Sequence, residues 1–215
     1  MERNEFVHLI GAVIILTAVI SFSAFLAGQY SFLSTALLFS IVLIAVHVGG
    51  KKLMANMLDC DVEHRLWTLS QYGYKPQQHF KKPMPASVVI PFGISIITGG
   101  IVKCMAILTY EAKAKTIRAA KRFGFYSFTE LTDWHNAVIG AGGIIALLTL
   151  SAVSYFLPAQ LEQLAGLAAG YAFWNLLPIS DLDGTQIFFG SRILYATLGV
   201  ITLIFSVYSL HFWLI

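Results

Sequence analysis

Charge is what this chain has least of. Asp, Glu, Lys and Arg make up 12% of its 215 residues, about half the share of an ordinary soluble domain. With 57% of the residues hydrophobic, that scarcity excludes a sizeable soluble domain. Cysteine is equally sparse. Cys60 and Cys104 are the only two, so there is no disulfide framework and no C-x-x-C pair. A phosphate-binding loop is missing too, because the glycine-rich IGAGGIIALL at 139–148 has no Lys-Ser/Thr at the required spacing. Its small residues suit close packing between membrane helices instead. No internal repeat or low-complexity stretch stands out.

What the chain does have is apolar length. Runs at about 6–28, 32–50, 135–157, 162–182 and 192–214 approach the roughly 20 residues that cross a hydrocarbon core. The first is too long for a signal-peptide core and lacks a basic leader, so it reads as a retained span. The expectation is an all-α polytopic membrane protein, one domain over residues 1–215 with about five to six transmembrane helices. Segment 84–110 is ambiguous. As a full span it would place two basic stretches, Lys51 to Lys82 and AKAKTIRAAKRFG from Ala112, on opposite sides, against the positive-inside rule. It would also sink Lys103 into the bilayer. Pro91, Gly93, Gly99 and Gly100 suit a broken, re-entrant hairpin. The N-terminus and both basic stretches are then cytoplasmic and the C-terminus outside. The second basic stretch reads as a surface helix ending near Gly124.

The most specific stretch is FWNLLPISDLDGTQIFFGSR, residues 173–192. Pro178 removes a backbone donor and opens the helix. Asn175 can satisfy exposed backbone groups, and Asp183-Gly184 follows at the break. A carboxylate there is costly unless paired, hydrated or metal-bound, which makes Asp183 a functional candidate. Far upstream, AVHVGGKKLMA (45–55) ends an apolar run with His47 and Lys51 one helical turn apart.

Together these stretches resemble the site-2 protease (M50) family of intramembrane zinc metalloproteases. Asn175, Pro178, Leu182, Asp183 and Gly184 match its N-x-x-P-x-x-x-L-D-G signature, whose Asp is the third zinc ligand. His47-Val48-Gly49-Gly50-Lys51 stands where the family has H-E-x-x-H. The likeness runs from about residue 40 to 195, within a site-2-protease-like core of about 32–195. It implies a membrane protein of a prokaryote, in the plasma membrane, with a groove for an extended transmembrane peptide. Asn175, Pro178 and Gly184 would line that groove. So would Gly143 and Ala146, which stand at the proline and asparagine of a further family feature.

The departures decide what chemistry remains. A catalytic zinc needs three protein ligands and a water, with the glutamate after the first histidine as general base. His47 and Asp183 are kept as remnant ligands. Val48 stands at the base position and cannot take a proton. Lys51 stands at the second histidine; as an ammonium it has no lone pair to give. The expectation is therefore a catalytically inactive pseudoprotease without a cofactor, in which Lys51 reaches Asp183 and replaces the metal by a fixed charge. A competing expectation is that Lys51 snorkels to the surface beside Lys52. An active zinc-dependent protease with unusual ligands, and a small transporter or channel component using Asp183, His47 and Lys103, are the two other functions weighed.

Other candidates are weaker. Cys60, Asp61, Glu63 and His64 have ligand chemistry, but no second Cys or His completes a set, so a polar surface loop is expected. His8, His79 and His211 stand alone. Trp134-His135 reads as an interface anchor, and Asp181 as facing water or capping a turn. Trp67, Tyr72, Tyr74 and Phe80 with nearby lysines fit an amphipathic segment on anionic lipid better than nucleic acid. Expected partners are thus transmembrane helices of other proteins and anionic lipid at the basic loops, with no nucleic acid.

Overall fold

A computed structural model of the chain describes residues 3–71, 79–115, 131–157 and 161–213. Seven helices are found there: α1 (Arg3–Leu26), α2 (Phe32–Met57), α3 (Ala86–Ile97), α4 (Asp133–Tyr155), α5 (Glu162–Leu176), α6 (Asp183–Gly190) and α7 (Arg192–Trp213). Among them α1, α2 and α4 are long and apolar enough to cross a membrane. Mostly helical architecture is therefore established, but the molecule is not all-α. Strands β1 (Cys60–Leu66), β2 (Leu69–Gln71), β3 (His79–Met84) and β4 (Leu108–Ala114) form two antiparallel pairs, β1 with β4 and β2 with β3.

Two local readings change for physical reasons. The stretch after Met57 was expected to be a surface loop, yet Val62, His64 and Leu66 alternate with Asp61, Glu63 and Arg65. That period of two gives β1 an inward and an outward face. Its register with β4 runs from Cys60 opposite Ala114 to Leu66 opposite Leu108. The start of the expected basic helix is therefore strand up to Ala114, and residues 116–130, including Gly124, lie outside the described residues. Trp67 does not lie on a lipid surface. It is 1% exposed and packs with Ala86, Cys104, Ala106 and Leu182. Tyr72 and Tyr74, and Pro158 in the turn expected after α4, also lie outside the described residues.

Segment 84–110 is not one continuous helix. α3 has 12 residues, a rise of roughly 18 Å, and ends in a turn where Gly99 and Gly100 take positive φ. From there the chain reaches β4 without further helix. The long apolar run at 162–182 also stops short. α5 ends at Leu176, residues 177–182 are not helical, and α6 begins at Asp183. Pro178 has no N–H to continue the ladder, so the break expected at this point has a direct cause.

The core lies where α1, α2, α4 and α5 meet, around Leu16, Leu43, Ile144, Leu147 and Tyr171. Close approach of α2 and α4 depends on glycine. A Cβ on Gly50 would stand 2.6 Å from the Cβ of Ala146 and from the Gly142 carbonyl oxygen. Side chains on the facing surfaces of α2 and α4 are thereby brought against one backbone, and that surface carries the site.

Candidate functional site

α2 does not end at Gly50 but continues to Met57, since KKLMANM contains mostly good helix formers. His47 and Lys51 are therefore both inside the helix and project from one face. On the opposite side α6 starts at Asp183, whose carboxylate sits in a helix's first turn, where negative charge is favoured. The geometry that results is compact. Lys51 Nζ donates to Asp183 Oδ1 at 2.7 Å, and His47 Nε2 lies 2.8 Å from Asp183 Oδ2. All three side chains are fully buried.

A carboxylate oxygen can only accept, so Nε2 carries the His47 proton. Nδ1 of the same ring is buried and has no partner among the described residues. Two aromatic rings complete the walls. The ammonium of Lys51 stands 4.5 Å from the centroid of the Tyr110 ring, a cation–π contact that partly replaces lost water. Tyr171 packs its edge against His47, with ring centroids 5.1 Å apart. The Tyr110 hydroxyl donates to the carbonyl of Asn136. Burial, together with the charge of Asp183, raises its pKa well above the ordinary tyrosine value and keeps it protonated.

The glycines of the site have defined jobs. A Cβ on Gly143 would come within 2.7 Å of His47 Cδ2 and 2.9 Å of Lys51 Cε, so Gly143 makes room for both side chains. Gly184 lies directly on the carbonyl of Leu176, where no Cβ fits. That contact folds α6 back onto the end of α5 and sets Asp183 in place. Asn175 is buried, and its Nδ2 donates to the Tyr171 carbonyl at 2.8 Å. Pro178 is exposed. Ala146 lies against Gly50. Val48 is almost fully buried among apolar neighbours. Asp181 faces out, and Lys103 is half-buried after the Gly99-Gly100 turn, where burial lowers its pKa.

A second polar cluster adjoins the first and was not legible as one. Glu5 of α1 is 5% exposed. Its Oε1 accepts from Lys52 Nζ at 2.8 Å and from His64 Nδ1 at 3.0 Å. His64 is fully buried on the inward face of β1. Burial, then the charge of Lys51, lowers its pKa to about 3, against the opposing pull of Glu5. Glu5 carries a weak sequence signal, an acid at the start of an apolar run. Tyr110 and Tyr171 carry none beyond aromaticity. Cys60 donates to the Leu58 carbonyl at 3.2 Å, and Asp61 and Glu63 point outward to Lys115 and Lys113. Among the described residues no three His, Cys, Asp or Glu side chains converge to hold a metal.

What meets at Asp183 is thus one imidazole, one carboxylate and one ammonium. Two of these can ligate a metal; the third has no lone pair. No family model, curated protein or solved structure matches this chain.

Proposed function

We propose that this is an integral membrane protein of site-2-protease-like design that has given up hydrolysis and binds transmembrane segments without cutting them. The observation that carries the reading is the Lys51–Asp183 contact at 2.7 Å. It puts a fixed positive charge where the resembling proteases hold a divalent ion. Zinc catalysis needs three protein ligands, an open position and a base. His47 and Asp183 offer two ligands, Lys51 closes the third position, and Val48 supplies no base. The site does not fit a resident zinc.

The binding half of the reading is supported by the backbone between Leu176 and Asp183. There the chain leaves the helix, and Pro178, Ile179 and Ser180 are exposed. Ile179 N–H donates to the Leu177 carbonyl and the Ile179 carbonyl accepts from Leu182 N–H, so what this stretch offers a partner is its exposed side chains, and exposed irregular segments on a rigid scaffold are common binding elements. A five- to six-span topology, with 84–110 re-entrant and the basic loops cytoplasmic, belongs to the same proposal.

A photo-crosslinking residue at Ile179, with the chain expressed in its own membrane type, tests it. Crosslinks to transmembrane segments that stay at full length are the expected result. Shortened partners, together with equimolar zinc that is lost in His47→Ala, would replace this reading by that of an active metalloprotease.

A further inference from the structure

A cleft apart from the Asp183 site lies between α4, α5 and α7. It holds about 230 Å³ and shares no lining residue with that site. Its floor is made of small residues, Ala152 of α4 with Ala165 and Gly166 of α5, and its rim includes Phe156 and Ile204. Phe156 is 86% exposed and Ile204 62%, so the cleft opens onto the outer, apolar surface of the helices. Tyr155 and Tyr208 close one end, their hydroxyls hydrogen-bonded to each other at 2.5 Å.

The walls select what can fill it. Among the described residues that line it, none is charged. Ser151 Oγ already donates to the Ala165 carbonyl at 2.8 Å, so the interior asks for no polar partner and does not hold water. Left empty, the cleft forfeits the contacts of its lining atoms. Its volume exceeds the roughly 150 Å³ at which an apolar cavity takes up benzene. A transmembrane helix, about 10–12 Å across with its side chains, is too wide for that space. α4 is long and apolar enough to cross a membrane, and α7 is apolar from Arg192 to Tyr208. In a bilayer, the medium at the opening is therefore hydrocarbon. Only the tyrosine end is polar. One hydroxyl of the pair donates and the other accepts, which leaves the acceptor's own proton for a further partner. Tyr155 ends α4, and tyrosines at helix ends sit at the level of lipid headgroups.

We infer that the cleft holds one acyl chain of a membrane phospholipid. The chain's ester carbonyl accepts from the tyrosine pair, and its methylenes run over Ala152, Ala165 and Gly166. Bound there, the chain fastens α7 to α4 and α5. α7 in turn meets α6 where Tyr195 packs on Phe188, with ring centroids 5.3 Å apart. The site needs only that α4 and α7 lie in a bilayer, and it stands or falls separately from the roles of Lys51 and Asp183.

The test reconstitutes the full chain in phosphatidylcholine bilayers doped with a phosphatidylcholine that carries a photoreactive diazirine midway along one acyl chain. After illumination, the labelled residues are mapped by peptide mass spectrometry. Labelling should concentrate on Ala152, Ala165 and Gly166, above that of Leu38, an exposed residue of α2 that samples the ordinary lipid surface. Ala152→Phe fills the floor and should cut labelling of Ala165 and Gly166 by at least about fivefold, the effect of forcing methylenes into occupied space. Labelling of Leu38 should not change. Ile204→Trp, at an exposed rim position, should act in the same way and decides the matter if Ala152→Phe fails to fold. Tyr155→Phe combined with Tyr208→Phe removes the anchor and should cut labelling about fivefold, the worth of an ordinary hydrogen bond. Labelling that falls with Ala152→Phe but not with the tyrosine change overturns the choice of an ester lipid. Cleft labelling no stronger than that of Leu38, or unmoved by all of these variants, overturns the site.

Discussion

Lys51 and Lys52 are neighbours on α2, carry the same charge and each meet one carboxylate, yet they do different work. Lys51 is fully buried, and its partner Asp183 is fully buried as well. The side chain of Lys52 is 39% exposed and meets Glu5 at the end of α1. Adjacent residues on a helix point about 100° apart, so one turns toward α6 and the other toward α1. Removing water from a charge pair is expensive, and what it yields depends on whether both partners stay in place. Lys51 and Asp183 lock the helix break at the centre, whereas Lys52 fastens α1 at the rim.

Breaking the central pair gives the largest expected effect. Lys51→Ala leaves the Asp183 carboxylate buried without its cation and should cost on the order of 3–5 kcal/mol. Adding Asp183→Ala should recover part of that, as measured by denaturant or thermal unfolding in detergent. Strictly additive losses would mean that the two groups do not interact. Gly184→Ala comes next. Its methyl would be driven into the Leu176 carbonyl, and overpacking of this kind costs about 1–3 kcal/mol or more. The same unfolding assay should show it, with α6 displaced from α5.

Acid should act on the rim before the centre. His64 has a folded pKa of about 3 against about 6.5 in an unfolded chain. Between these values the unfolded chain binds a proton that the folded one refuses. Stability from His64 is therefore complete above pH 6.5 and declines as pH falls toward 3, by at most about 1.4 kcal/mol per unit. Substituting His64→Phe should flatten that slope in unfolding measured across the window. The smallest effect belongs to Lys52→Ala. A half-exposed pair contributes about 0–1 kcal/mol, and Glu5 keeps His64 as a partner. A loss as large as that of Lys51→Ala would erase the distinction between the two lysines.

Much of this contrast is readable in the residues, and part is not. Pro178 announces the helix break, and the spacing of His47 and Lys51 announces a shared face. Asp183, an acid at a helix break, announces that something must neutralise it. Two readings of Lys51 fitted equally, because a lysine near a helix end can either snorkel or pair. What decides between them is that α2 runs on to Met57, a boundary set by tertiary packing rather than by local pattern. β1 was hidden for a similar reason. Seven residues with charges at alternate positions look like a surface loop until β4, more than forty residues away, provides the partner strand. Glu5 gains its role only when α1 lies against that sheet, a contact no local window contains.

Lys51 is proposed to stand in the place of a metal. The most direct test is the zinc content of the purified native chain beside that of the double substitution Val48→Glu, Lys51→His, which completes two histidines and a base opposite Asp183. No stoichiometric zinc is expected in the native chain, and about one per chain, bound through His47, in the double substitution. Equimolar zinc in the native chain, removed by His47→Ala, would contradict it.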